Sequence, residues 1–66
     1  MEGLYRNEIN IGDTVDIVLK ADQKSGKLTR GVVKRILTKS GYHPHGIKVM
    51  LEDGLVGRVK YVPKHK

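Results

Sequence analysis

A chain of 66 residues with no cysteine, phenylalanine or tryptophan must build its core from short aliphatic side chains. A domain of about 60 residues buries only about 60% of its unfolded surface, so that core is thin. Disulfides cannot reinforce it, and a thiolate zinc site is excluded. Tyr5, Tyr42 and Tyr61 are the only aromatics, which leaves Val, Ile and Leu to fill the interior. Such residues build a sheet where they alternate with polar ones, so the pattern of alternation is the first thing to read.

Residues 1–10 show no clear period; Leu4, Tyr5 and Ile9 are expected to pack as a lead-in with room for one helical turn. Asn10-Ile11-Gly12-Asp13 is a turn signal. From Thr14 to Leu19, Val15, Ile17 and Leu19 fall on one side and Asp16 and Val18 on the other, which predicts a strand with one buried face. Lys20 to Lys27 is polar and contains Gly26, so it reads as a loop. The second strand spans Leu28 to Leu37, where alternation breaks: Leu28, Val32 and Ile36 share one parity, Val33 and Leu37 the other. Gly31 lies between them, and a bulge or sharp coil there would re-aim the side chains. A bent second strand is what a small barrel needs to close.

A second loop, Thr38 to Gly46, contains Gly41 and Pro44. Ile47 to Leu51 alternates cleanly, with Ile47, Val49 and Leu51 inward. Glu52-Asp53-Gly54 then leads into Leu55 to Val62. A two-residue turn would set Val49 and Ile47 opposite Arg58 and Lys60. A three-residue turn with Gly54 left-handed sets Leu51 opposite Leu55 and Ile47 opposite Val59. Only the second register keeps both cations off the apolar face, and it gathers Lys48, Arg58 and Lys60 outside. Four to five short antiparallel strands with tight turns predict an all-β, small SH3-like barrel, with an OB-type barrel as the alternative. The chain reads as one domain, with 1–10 as lead-in and 63–66 as a basic tail.

Charge bears on function. Thirteen Lys and Arg against seven Asp and Glu give +6. Residues 1–19 carry a net −3, residues 20–39 a net +6 and residues 40–66 a net +3. Localised positive charge suggests a polyanionic partner, nucleic acid ahead of an anionic membrane surface, although solubility alone also requires net charge. No apolar run approaches the roughly 20 residues that span a bilayer, and residues 1–10 do not resemble a signal peptide. A cytoplasmic, unprocessed, monomeric protein without membrane contact is the expectation.

The leading candidate surface is Lys20, Lys24, Lys27, Arg30, Lys34, Arg35 and Lys39, with Lys48, Arg58 and Lys60 beside it. Such groups hold backbone phosphates without reading sequence. Pairing with Asp13, Asp16 or Asp22 would take some of them out of service. Tyr42 could stack on a base or cover a barrel end. His43-Pro44-His45 puts two imidazoles close together, but no third ligand is evident beyond remote acids and His65, so no metal is expected. Ser25-Gly26-Lys27 looks like the tail of a phosphate loop, yet Leu28 stands where a hydroxyl is needed. No nucleophile–base or carboxylate pair has a catalytic spacing, so no catalytic residue and no cofactor is expected. A polar pocket around His43 and His45 would reopen the enzymatic reading.

Several segments resemble the YwbE-like family of small bacterial and archaeal proteins. They are Gly12-Asp13-Thr14-Val15-Asp16-Ile17-Val18-Leu19-Lys20, Asp22-Gln23, Ser25-Gly26-Lys27-Leu28-Thr29-Arg30-Gly31-Val32-Val33-Lys34, Ile36-Leu37-Thr38, His43-Pro44-His45-Gly46-Ile47-Lys48-Val49, Leu51-Glu52-Asp53-Gly54 and Val56-Gly57-Arg58-Val59. The likeness covers residues 10–62 and implies a family without implying an activity. More loosely, Gly12-Asp13-Thr14-Val15 and Gly31-Val32-Val33 with Ile36 are similar to KOW domains, SH3-like barrels that bind ribosomal or nascent RNA or a protein partner. The expectation is a non-enzymatic nucleic-acid-binding module, with RNA favoured over DNA and ribosome association within its range. The alternative is a protein-interaction module that docks a partner through a sheet edge or apolar patch.

Overall fold

The computed structural model describes residues 4–63. The tail residues Lys64, His65 and Lys66 lie outside them. Four strands form: β1 (Thr14–Leu19), β2 (Thr29–Ile36), β3 (Lys48–Leu51) and β4 (Val56–Tyr61). Every pairing is antiparallel, and β1 bonds to both β2 and β4, so the sheet closes into a barrel. This is the small SH3-like barrel that the strand pattern predicts. The lead-in carries a single 3-10 turn at Arg6–Glu8, and a second such turn at Lys20–Asp22 opens the loop between β1 and β2. Among the described residues, no helix is long and apolar enough to cross a membrane.

The core is aliphatic throughout: Ile9, Val15, Ile17, Val33, Ile47, Val49, Leu51, Val59 and Val62 are buried together. All three tyrosines remain largely exposed. Ile9 brings the lead-in onto the core, and backbone bonds hold that segment in place. The amide of Arg6 donates to the carbonyl of Gly41 and that of His43 to the carbonyl of Leu4.

The second strand bends elsewhere than at Gly31. The register with β3 shifts between Val33 and Arg35, which makes Lys34 the extra residue. A bulge there turns both Val33 and Ile36 toward the core, three positions apart, and leaves Lys34 and Arg35 exposed. Gly31 serves a different need: a Cβ on it would lie 2.5 Å from Leu51 Cδ1. A second shift occurs where β4 meets β1, since Asp16 faces Tyr61 but Ile17 faces Val59. The extra residue in β4 is Lys60. Both register shifts therefore fall on an outward lysine.

β1 also departs from the expectation of one buried face. Val15 to Val18 are all buried. Asp16 points away from the core yet is only 8% exposed, and Val18 only 5%. Neighbouring groups cover both, as described below.

The turn between β3 and β4 follows the three-residue register. Lys48 faces Arg58, Val49 faces Gly57, and the amide of Leu51 donates to the carbonyl of Leu55. Gly54 has φ of 91°, in open space. Gly46 has φ of 99°, and a Cβ there would strike the carbonyl oxygen of Val59. Left-handed backbone with a Cβ costs about 1–2 kcal/mol. Gly54→Ala should therefore lose at least about 1 kcal/mol of stability in denaturant melts. Gly46→Ala should lose clearly more, because strain and a clash with rigid backbone combine. Equal losses would mean that the approach of Val59 to Gly46 is immaterial.

Candidate nucleic-acid interface

The barrel redistributes the cations that sequence places together. Lys20, Lys24 and Lys27 are exposed along the β1–β2 loop. That loop is tied by the Gly26 amide donating to the Asp22 carbonyl and by the Ser25 hydroxyl donating to the same oxygen. Lys34 and Arg35 project from the β2 bulge, with Arg35 across from Met50. Lys39 stands exposed in the second loop.

Arg30 is the exception within the expected surface. Its guanidinium grips Asp16 with both arms, Nε to Oδ1 at 2.7 Å and Nη2 to Oδ2 at 3.1 Å. The two residues are directly paired across β1 and β2. This cover keeps Asp16 buried, while the Arg30 side chain remains 61% exposed. The hydrogen bond from Arg30 holds the Asp16 carboxyl below its ordinary range, and the same bond raises Arg30. Arg30 thus spends Nε and Nη2 on Asp16, while its side chain still reaches solvent.

Tyr42 sits against Tyr5, ring centroids 5.0 Å apart and tilted by 48°, and the two residues form an isolated β-bridge. Tyr42 therefore joins the lead-in to the second loop, while one part of its ring faces solvent.

A second group of cations lies on the β3–β4 hairpin. Lys48 lies directly across from Arg58, an opposition of like charges that weakens a sheet. Arg58 Nη1 donates to the carbonyl of Gly46 at 3.2 Å, and Lys60 Nζ to that of His45 at 3.3 Å. Among the described residues, no carboxylate pairs with Lys48, Arg58 or Lys60. Arg58 and Lys60 line a cleft of about 610 Å³ together with Val18, Gln23, Gly26 and His45. The β1–β2 loop forms one wall, the turn at His45 another, and Val18 the apolar floor. This explains why an outward valine in β1 is buried.

Sequence reading missed Val18, Gln23 and His45 as members of one cavity. The available signal was the run Ile17-Val18-Leu19, whose continuous apolarity fits a strand covered on both faces. His43 turns its Nδ1 inward to accept the His45 amide at 3.2 Å. Desolvation, with Arg58 and His45 nearby, lowers the pKa of His43. Among the described residues, no group of three His, Cys, Asp or Glu is gathered to hold a metal ion.

The Asp16–Arg30 pair has a measurable consequence. Because folding lowers the Asp16 pKa, the unfolded chain takes up the proton first, and stability falls as pH drops below about 4. Asp16→Asn removes that component, so its stability should change less with acid than that of the parent. Urea melts at stepped pH would show it; parallel curves would mean that the pair contributes nothing net.

The comparisons with known proteins give the chain a lineage. Residues 2–62 match the family described as an uncharacterised conserved protein, DUF2196. The chain is 72% identical over 58 residues to the Bacillus subtilis (strain 168) "Uncharacterized protein YwbE", covering 88% of this chain and 89% of that one. No solved structure matches. With a family match across nearly the whole barrel and a close relative of the same length, the chain belongs to the YwbE-like family.

Proposed function

We propose that this barrel is a non-enzymatic nucleic-acid-binding module that grips the phosphate backbone, with RNA favoured over DNA. The observation that carries this reading is the cluster of Lys48, Arg58 and Lys60 on one outer face, unpaired with any carboxylate among the described residues. Opposing Lys48 to Arg58 weakens the β3–β4 hairpin, and a polyanion laid across that face would relieve the repulsion. Lys24 and Lys27 flank Gln23 and Gly26, so the loop extends the same positive surface over the cleft. The likeness to KOW domains in Gly12-Asp13-Thr14-Val15 and Gly31-Val32-Val33 favours RNA, as analogy of fold.

Protein docking through a sheet edge has less support, because every strand of the closed barrel already bonds to two neighbours. A docking partner would have to use an apolar patch instead. His45 is among the residues that line the cleft, but phosphodiester cleavage by acid–base catalysis takes two proton-transfer groups. His43 is absent from the lining, and no carboxylate is present there. Binding is the chemistry this set supports.

Lys24, Lys27, Lys48, Arg58 and Lys60 supply up to five phosphate contacts. Each contributes about −0.9 to the log–log salt slope on duplex and about −0.7 on single strands. Affinity for mixed-sequence RNA should thus fall with a slope of roughly −3 to −4, and Lys48→Gln should flatten it by nearly one unit. Replacing Lys24 and Lys27 together should cost more affinity than replacing Lys64 and Lys66, which removes equal charge from the tail. Equal losses would reduce the surface to generic charge, and no binding at low salt would move the reading to a protein partner. Cleavage of the RNA that disappears in His45→Ala would replace it with an enzymatic one.

A further inference from the structure

The cleft differs in kind from the open basic surface around it. A strand of nucleic acid laid on a barrel needs cations spaced along its path, one for each singly charged internal phosphate. Here two cations converge on one cavity instead. Arg58 and Lys60 are two residues apart on β4, and both are fixed from the same side by consecutive carbonyls, those of Gly46 and His45. A guanidinium has five N–H donors and an ammonium three. Each of these two has one committed, so most of their donors remain for a ligand.

Resting on the nucleic-acid reading above, we infer that this cleft seats a terminal phosphomonoester together with the nucleoside that carries it. A phosphomonoester bears a charge of about −1.5 to −2 at neutral pH, which two cations balance, whereas an internal phosphodiester bears one. Size points the same way. The cavity of about 610 Å³ falls within the span of small-molecule sites, about 300–1,000 Å³, and a bare phosphate would leave most of it empty. The rest of the lining suits a nucleoside. Gln23, exposed at its edge beside Val18 and His45, carries an amide able both to donate and to accept at a base edge. No lining residue is acidic.

Strand alternation already puts Arg58 and Lys60, two residues apart, on one face of β4. In an unbroken strand Lys60 would continue the regular pairing of Arg58 with β1, but the register shift makes it the extra residue. The Lys60 ammonium meets the His45 carbonyl in the cleft that Arg58 also lines.

The test is a set of titrations with one short RNA carrying a 5′-phosphate, a 3′-phosphate, or hydroxyls at both ends. One of the phosphorylated ends should bind about tenfold more tightly than the hydroxyl-ended strand, as expected for extra charge-assisted hydrogen bonds. Lys60→Gln, at an exposed position that leaves the core untouched, should bring that ratio close to one. Arg58→Gln should do the same, with its melting temperature recorded alongside. Adenosine 5′-monophosphate, which distinguishes a free nucleotide from a strand end, should shift the amide resonances of Val18 and Gly26, and adenosine should not. Equal binding of all three RNAs would overturn the terminal-phosphate inference and leave the backbone reading standing. Failure to bind any RNA at low salt would overturn both.

Discussion

The bonding of β1 to β4 is the contact on which the rest of the molecule depends, because four strands of four to eight residues cannot shelter a core as an open sheet. Closure gives every strand two neighbours and wraps the inward faces around one aliphatic cluster. It is achieved with little material. With no large aromatic in the core, the strands must approach closely, and the packing of Leu51 over Gly31 shows how little space remains. Curvature comes from the two register shifts, one in β2 at Lys34 and one in β4 at Lys60.

Those shifts link folding to the candidate site. A bulge leaves a residue outside the regular ladder, and in this chain both such residues are lysines. The strain of bending a short strand is thereby placed where a long, flexible cation stands in solvent. The ammonium of Lys60 donates to the His45 carbonyl beside the cleft. The conformation of Gly46 serves both ends too, since its left-handed backbone lets the turn come down onto Val59 and offers a carbonyl to Arg58.

Electrostatics sort the cations into two groups. Arg30 faces a carboxylate that the sheet has buried, and its role is to solvate Asp16 in place of water. Lys48 and Arg58 face each other with no acid between them among the described residues. The first arrangement stabilises the native state above the titration of Asp16, and the second opposes it at all ordinary pH. The two arrangements separate a cation that covers a buried carboxylate from cations with no carboxylate partner among the described residues.

Alternation and turn chemistry alone determined β1, the inward residues of β3 and the β3–β4 register. The register followed from one physical requirement, that Arg58 and Lys60 stay off the apolar face. The break of parity in β2 was visible too, but its location was not. Gly31 is the conspicuous residue in sequence, whereas the bulge falls at Lys34, because closure demands it where β2 meets β3. Sequence also gathered the positive charge into residues 20–39, since it counts neighbours along the chain. Only the tertiary structure could pair Arg30 with Asp16, cover Val18 with the loop, and bring residues from β1, both loops and β4 to one cleft. Those groupings depend on contacts between segments far apart in the chain, and the closure of the barrel sets them.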